Sequence, residues 1–178
     1  MKTLVDQLSQ YAAYHCDRRN IATHFVGIPM IVQAVAILLA RPSVEWGGIQ
    51  WSMASIVVVA SVIYYLVLDL RYGAVMGLLS GAVLMGASSA ASLPMWSWLT
   101  LGVSLFVAGW ILQFIGHYYE GRKPAFVDDL MGLAVGPLFV VAEAGFIAGL
   151  RREIQVAIEA RVGSVSGRVE HSHSKADT

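Results

Sequence analysis

Charge is scarce in this chain and balanced where it occurs: 12 Lys and Arg face 12 Asp and Glu, together 13% of 178 residues. With no net positive excess and no basic stripe to meet a phosphate backbone, a nucleic-acid partner is excluded. Cysteine is limited to Cys16, which excludes an internal disulfide. The first ten residues, MKTLVDQLSQ, hold one lysine, one acid and no apolar core. They are not expected to act as a cleavable signal, so insertion into a membrane is expected to use internal segments.

What the chain has instead is apolar bulk. Hydrophobic residues make up 57%, a poor fit to an ordinary soluble domain. Between Phe25 and Tyr119 the formally charged side chains are Arg41, Glu45, Asp69 and Arg71. They fall in two clusters, which mark loops between apolar runs. The runs lie at roughly 25–40, 51–68, 73–91, 96–115 and 131–150, each near the ~20 residues that cross a bilayer core as helix. The expected fold is therefore all-α: a polytopic helical membrane protein with four to five membrane helices and an N-terminal interfacial helix. Pro29 and Gln33 make the first run weaker, and Pro137 and Glu143 the last. In the third run Gly73, Gly77 and Gly81 recur every four residues and are expected to let a neighbouring backbone approach.

Before the first run, Leu4, Leu8, Tyr11, His15 and Arg18 share a face at helical spacing, as in a helix lying on the membrane surface. Residues 1–150 are read as one helical membrane domain. Residues 151–178 are read as a short amphipathic segment, RREIQVAIEARV, followed by a polar, disordered tail. The distribution of positive charge discriminates between topologies. Five full crossings would divide the Lys and Arg evenly between the two sides. Four crossings, with the 131–150 segment returning or lying against the bundle, would place all of them except Arg41 on one face. The positive-inside rule favours the second arrangement, an integral membrane protein with both termini cytoplasmic. In either arrangement the N-terminal segment meets the loop after residue 115.

That meeting is where the ionisable residues gather. His117 and Glu120 are three apart and share a helix face, with Gln113 one turn behind. His15 and His24 are nine apart, on opposite sides of an unbroken helix, so a break near Asn20 is expected to let them converge. Asn20 lies four before His24, where it would orient the imidazole. Three histidines with a carboxylate at hand suit a divalent metal that takes nitrogen and oxygen ligands, whereas each taken alone reads rather as an interfacial or buried imidazole satisfied by a hydrogen bond. Glu143, inside an apolar run, requires a partner and is either a metal-site carboxylate or half of a structural pair. Asp128 and Asp129 read as helix caps, and His171 and His173 as part of the solvated tail. Arg122 and Lys123 are either interfacial anchors or a cradle for an anionic head group.

The segments YAAYHCDRRNIATHFVGIP, WILQFIGHYYEGRKPA and GPLFVVAE together resemble the membrane-bound 2-hydroxy fatty acid dioxygenase family, known from fungal fatty acid α-oxidation. The resemblance runs from about Tyr11 to Gly149. It rests on Tyr11, His15, Asn20, His24, Gly27 and Pro29 in the first block, and on Gln113, Gly116, His117, Glu120, Gly121, Arg122, Pro124 and Ala125 in the second. It implies an iron(II) enzyme that uses dioxygen to shorten a long-chain 2-hydroxy fatty acid by one carbon. On that reading His15, His24 and His117 hold the metal, with Glu120 as a fourth ligand or an orienter, and Arg122 or Lys123 pairs with the substrate carboxylate. Asn20 and Glu143 complete the expected site. The partners are the fatty acid and membrane lipid, with self-association left open. The competing readings are another metal-dependent lipid hydroxylase or hydrolase, although the HxxxH, HxxHH and HExxH signatures are missing, and a transporter using Glu143 as an ion site.

Overall fold

The computed structural model describes residues 2–121 and 131–163. It contains α1 (Leu4–Ala12), α2 (Arg18–Leu39), a hairpin of β1 (Ser43–Trp46) and β2 (Ile49–Ser52), α3 (Met53–Leu68), α4 (Leu70–Ala91), α5 (Met95–Glu120), α6 (Gly132–Ile147) and α7 (Arg152–Val162). This is a helical membrane protein. Helices α2, α4 and α5 are each long and apolar enough to cross a bilayer, α3 is apolar but shorter, and α6 and α7 form a pair bent by 113°. The outer surface agrees: on α4, Leu78 and Met85 are 77% and 73% exposed, which lipid tolerates and water does not.

Polar side chains set the helix boundaries. Thr3 and Asp6 form a reciprocal capping box at the start of α1, and Ser52 and Ser55 do the same for α3. Asp69 alone separates α3 from α4 and accepts from the Tyr72 amide at 2.9 Å. Gly121, with φ of 67°, ends α5. Pro29 and Pro137 lie inside α2 and α6 without ending them, so the two runs weakest in sequence both form helices.

Close packing is concentrated between α2 and α5. A Cβ on Gly109 would come within 3.0 Å of the Gly27 carbonyl oxygen, and one on Gly116 within 2.4 Å of Asn20 Oδ1. The expected glycine groove on α4 is tight only at Gly73, where a Cβ would meet the Leu66 backbone at 2.6 Å. Gly77 makes ordinary contact and Gly81 faces open space.

Helices α1, α6 and α7 cover one end of this bundle. The α1 face that carries Leu4, Leu8 and Tyr11 is buried in a cluster with Tyr65, Tyr72, Leu138, Phe139 and Ile158. The apolar face read as membrane-directed is thus packed on protein, and the helix stops at Ala12, short of His15 and Arg18. Both ends of α6 touch the α3–α4 junction. Tyr65 donates to the Ala134 carbonyl at 2.7 Å, and Arg151, just past α6, pairs with Asp69 at 2.9 Å. The 131–150 segment is thus held to α3 and to the α3–α4 junction.

Candidate metal centre

The covered end holds three buried histidines from three places in the chain: His15 in the α1–α2 connection, His24 on the second turn of α2, and His117 near the end of α5. Their nitrogen ligand atoms lie within 4.8 Å of one another. The rings stand nearly perpendicular, with centroids 4.5 to 5.1 Å apart.

The break that lets His15 and His24 converge lies at residues 13–17; α2 runs unbroken through Asn20, where the break was expected. The cause is a carboxylate delivered from α5. Glu120 accepts from the amides of Cys16 at 2.9 Å and Asp17 at 2.8 Å, and from Asn20 Nδ2 at 3.1 Å. Asp17 accepts from the Arg19 amide at 2.7 Å. Two acids thus satisfy amides at the start of α2 and oppose the positive end of its dipole. Glu120 is the anchor of the loop that presents His15. Asn20 acts on His24 through its main chain: His24 Nδ1 donates to the Asn20 carbonyl at 2.8 Å, while the side chain serves Glu120.

His15 is held in the same way, its Nδ1 donating to the Tyr11 carbonyl at 2.7 Å while the Tyr11 ring stacks on it at 4.2 Å. A carbonyl only accepts, so both Nδ1 atoms carry the proton and both Nε2 atoms carry a lone pair. Those two Nε2 atoms face each other at 3.1 Å, a repulsive approach that a shared cation relieves. A proton is a poor choice, because burial and the neighbouring imidazole of His24 push His15 down to about 3. A first-row metal ion fits: with metal–nitrogen bonds of about 2 Å, two adjacent ligand atoms stand about 3 Å apart. The donor set therefore suits an ion that takes imidazole nitrogen.

Among the described residues no carboxylate joins this ligand group. Glu143 lines a separate cavity of about 610 Å³ together with His15, Arg18, Phe25, Ile158 and Glu159. A smaller cavity of about 60 Å³ adjoins His24 and His117 and is lined by Gln113, Tyr11, Trp110 and apolar residues of α2 and α6. Arg122 and Lys123, expected to bind a carboxylate, lie outside the described residues, as do Asp128, Asp129, His171 and His173. Sequence reasoning missed the use of the Cys16 and Asp17 amides, for which backbone atoms leave no residue-type signal. It also missed the closeness of α2 and α5, for which Gly102, Gly109 and Gly116, seven apart, were the available sign.

The family described as 2-hydroxy-palmitic acid dioxygenase Mpo1-like matches residues 1–146. The 2-hydroxy-palmitic acid dioxygenase MPO1 of Saccharomyces cerevisiae is 30% identical over 160 residues, covering 88% of this chain and 87% of the yeast protein. No solved structure matches the chain.

Proposed function

We propose, since the chain belongs to the Mpo1-like family, that it is a membrane-embedded iron(II)-dependent dioxygenase that shortens a long-chain 2-hydroxy fatty acid by one carbon. The single observation that carries the metal assignment is the facing pair of His15 and His24 Nε2 lone pairs with His117 beside them. The reaction balances without an added reductant. Converting the 2-hydroxy acid to the shorter acid and carbon dioxide is a four-electron oxidation, and dioxygen accepts four electrons on reduction to water.

His15, His24 and His117 would hold the iron, which when bound supplies a site where dioxygen and the 2-hydroxy acid react. The Tyr11 and Asn20 carbonyls fix the tautomers of His15 and His24, so their Nε2 atoms point inward without rearrangement. Glu120 secures the loop that carries His15. Burial of the imidazoles excludes water from the reacting centre. Arg122 or Lys123, which follow α5 in sequence, would pair with the substrate carboxylate. The packing of α1 against α7 places residues 2 and 163 toward the same end of the bundle. With all positive residues except Arg41 assigned to that side, the positive-inside rule makes it the cytoplasmic face.

The test is anaerobic purification, metal analysis and oxygen uptake with 2-hydroxy and unsubstituted acids of several chain lengths. The expected result is bound iron, uptake only with the 2-hydroxy acids, and a product one carbon shorter by mass spectrometry. An iron-loaded protein that takes up no oxygen with any chain length would overturn the reading.

A further inference from the structure

Gln113 is 6% exposed, and its Nε2 is a buried donor with no protein acceptor among the described residues. A buried amide N–H without a partner is costly, and native structures rarely keep one without a reason. Its position is built into the helix packing. A Cβ at residue 27 would sit 2.6 Å from Gln113 Nε2, so only glycine there lets the amide occupy this place. Gln113 lines the cavity that His24 and His117 also line, and the other walls include Ile28, Ile31, Val32 and Trp110. A mostly apolar cavity with a few convergent polar groups beside a candidate metal centre is the usual form of a small-molecule site. Although Tyr11, His24 and His117 also line the cavity, none of the described residues accepts from Gln113 Nε2, so the acceptor comes from the occupant.

We propose that this cavity takes the head of a 2-hydroxy acid, and that Gln113 is a positioning residue whose amide donates to the acid's carboxylate or hydroxyl oxygen. The alkyl chain then continues past Ile31 and Val32 between α2 and α6. The identity of the acid rests on the dioxygenase reading above; the location of its head does not. The larger cavity is the weaker site for a carboxylate because Glu143 and Glu159 both line it, and their like charge opposes one, although Arg18 also lines it.

The test uses the full chain in detergent, iron-loaded and anaerobic, titrated with 2-hydroxyhexadecanoic acid. Binding is read by the fluorescence of Trp110, which lines the cavity, with Trp110→Phe as background. Gln113→Met removes the donor at similar length, and Gln113→Glu keeps the shape but opposes a carboxylate. Both are expected to retain iron and to raise Kd about tenfold or more, the loss of one hydrogen bond to a charged group. KM should rise similarly with little change in kcat. Wild-type affinity in both variants would overturn the proposal, and so would weakened binding in Arg18→Gln with none in the Gln113 variants. If the wild type takes up no oxygen but the Gln113 variants still weaken binding, the dioxygenase reading fails and the site assignment stands.

Discussion

At the scale of single residues, the chemistry of the centre is set by what each histidine does with its second nitrogen. His15 and His24 spend Nδ1 on main-chain carbonyls four residues earlier, which leaves Nε2 available to a metal. Replacing His15, His24 or His117 by alanine is therefore expected to abolish tight iron binding while circular dichroism shows the helices intact. Glu120→Gln keeps all three imidazoles but weakens the clamp on the Cys16 and Asp17 amides. Its iron affinity should fall about 10- to 100-fold, the usual effect of disturbing a ligand's support, whereas Glu143→Gln should leave iron content unchanged. Normal iron in the three histidine variants, measured by metal analysis, would remove the metal centre. The three histidines and Glu120 were legible because residue type carries their chemistry. The acceptors that orient them are backbone carbonyls, which every residue possesses: spacing pointed to Asn20 as the residue that orients His24, though not to its main chain as the means, and nothing marked Tyr11 for the same role on His15.

Between residue and whole molecule, the helix pairs decide where those side chains meet. All five apolar runs became helices, and the charged clusters at Arg41–Glu45 and Asp69–Arg71 fell at their ends, because burying apolar length and exposing charge are both read directly from composition. Pair contacts were less legible. The repeat of glycines every four residues on α4 drew attention, yet Gly81 faces nothing within 4 Å. The seven-residue repeat on α5 marks the tighter seam, since a period of seven keeps one stripe against a neighbouring helix. Gly109→Val should push α5 off Gly27 and cost about 1–3 kcal/mol by overpacking, with iron content falling as His117 moves. Gly81→Ala should be neutral or mildly stabilising, since alanine is the better helix former. Thermal unfolding of both variants in the same detergent checks this, and equal midpoints would mean the α2–α5 contact is not close.

Across the whole molecule, the cap of α1, α6 and α7 stays on the bundle partly through one ion pair. Arg151 sits at the 113° bend between α6 and α7 with a left-handed φ of 52°, and its guanidinium grips both oxygens of Asp69 at 3.1 and 2.9 Å. Asp69 also caps α4, so this pair ties the cap to the α3–α4 junction. The Asp69–Arg151 partnership, 82 residues apart, had no local signature in the sequence. The Arg151 guanidinium holds the Asp69 carboxyl below its ordinary value of 3.8. A carboxyl whose folded value is depressed adds stability that is complete above the unfolded value and is lost as pH falls through the folded one. The pair should therefore contribute a constant amount from neutral pH down to about 4 and fade below that. Asp69→Asn keeps a good helix cap but removes the charge, so it should lower stability by about 1 kcal/mol at neutral pH, the upper end for a partly exposed pair. The difference between wild type and variant, followed by thermal unfolding from pH 7 to pH 3, should be flat above pH 4 and shrink below it. A difference that instead grew as the pH fell would mean that Asp69 is stabilised by its protonated form and that the cap is held by something other than this pair.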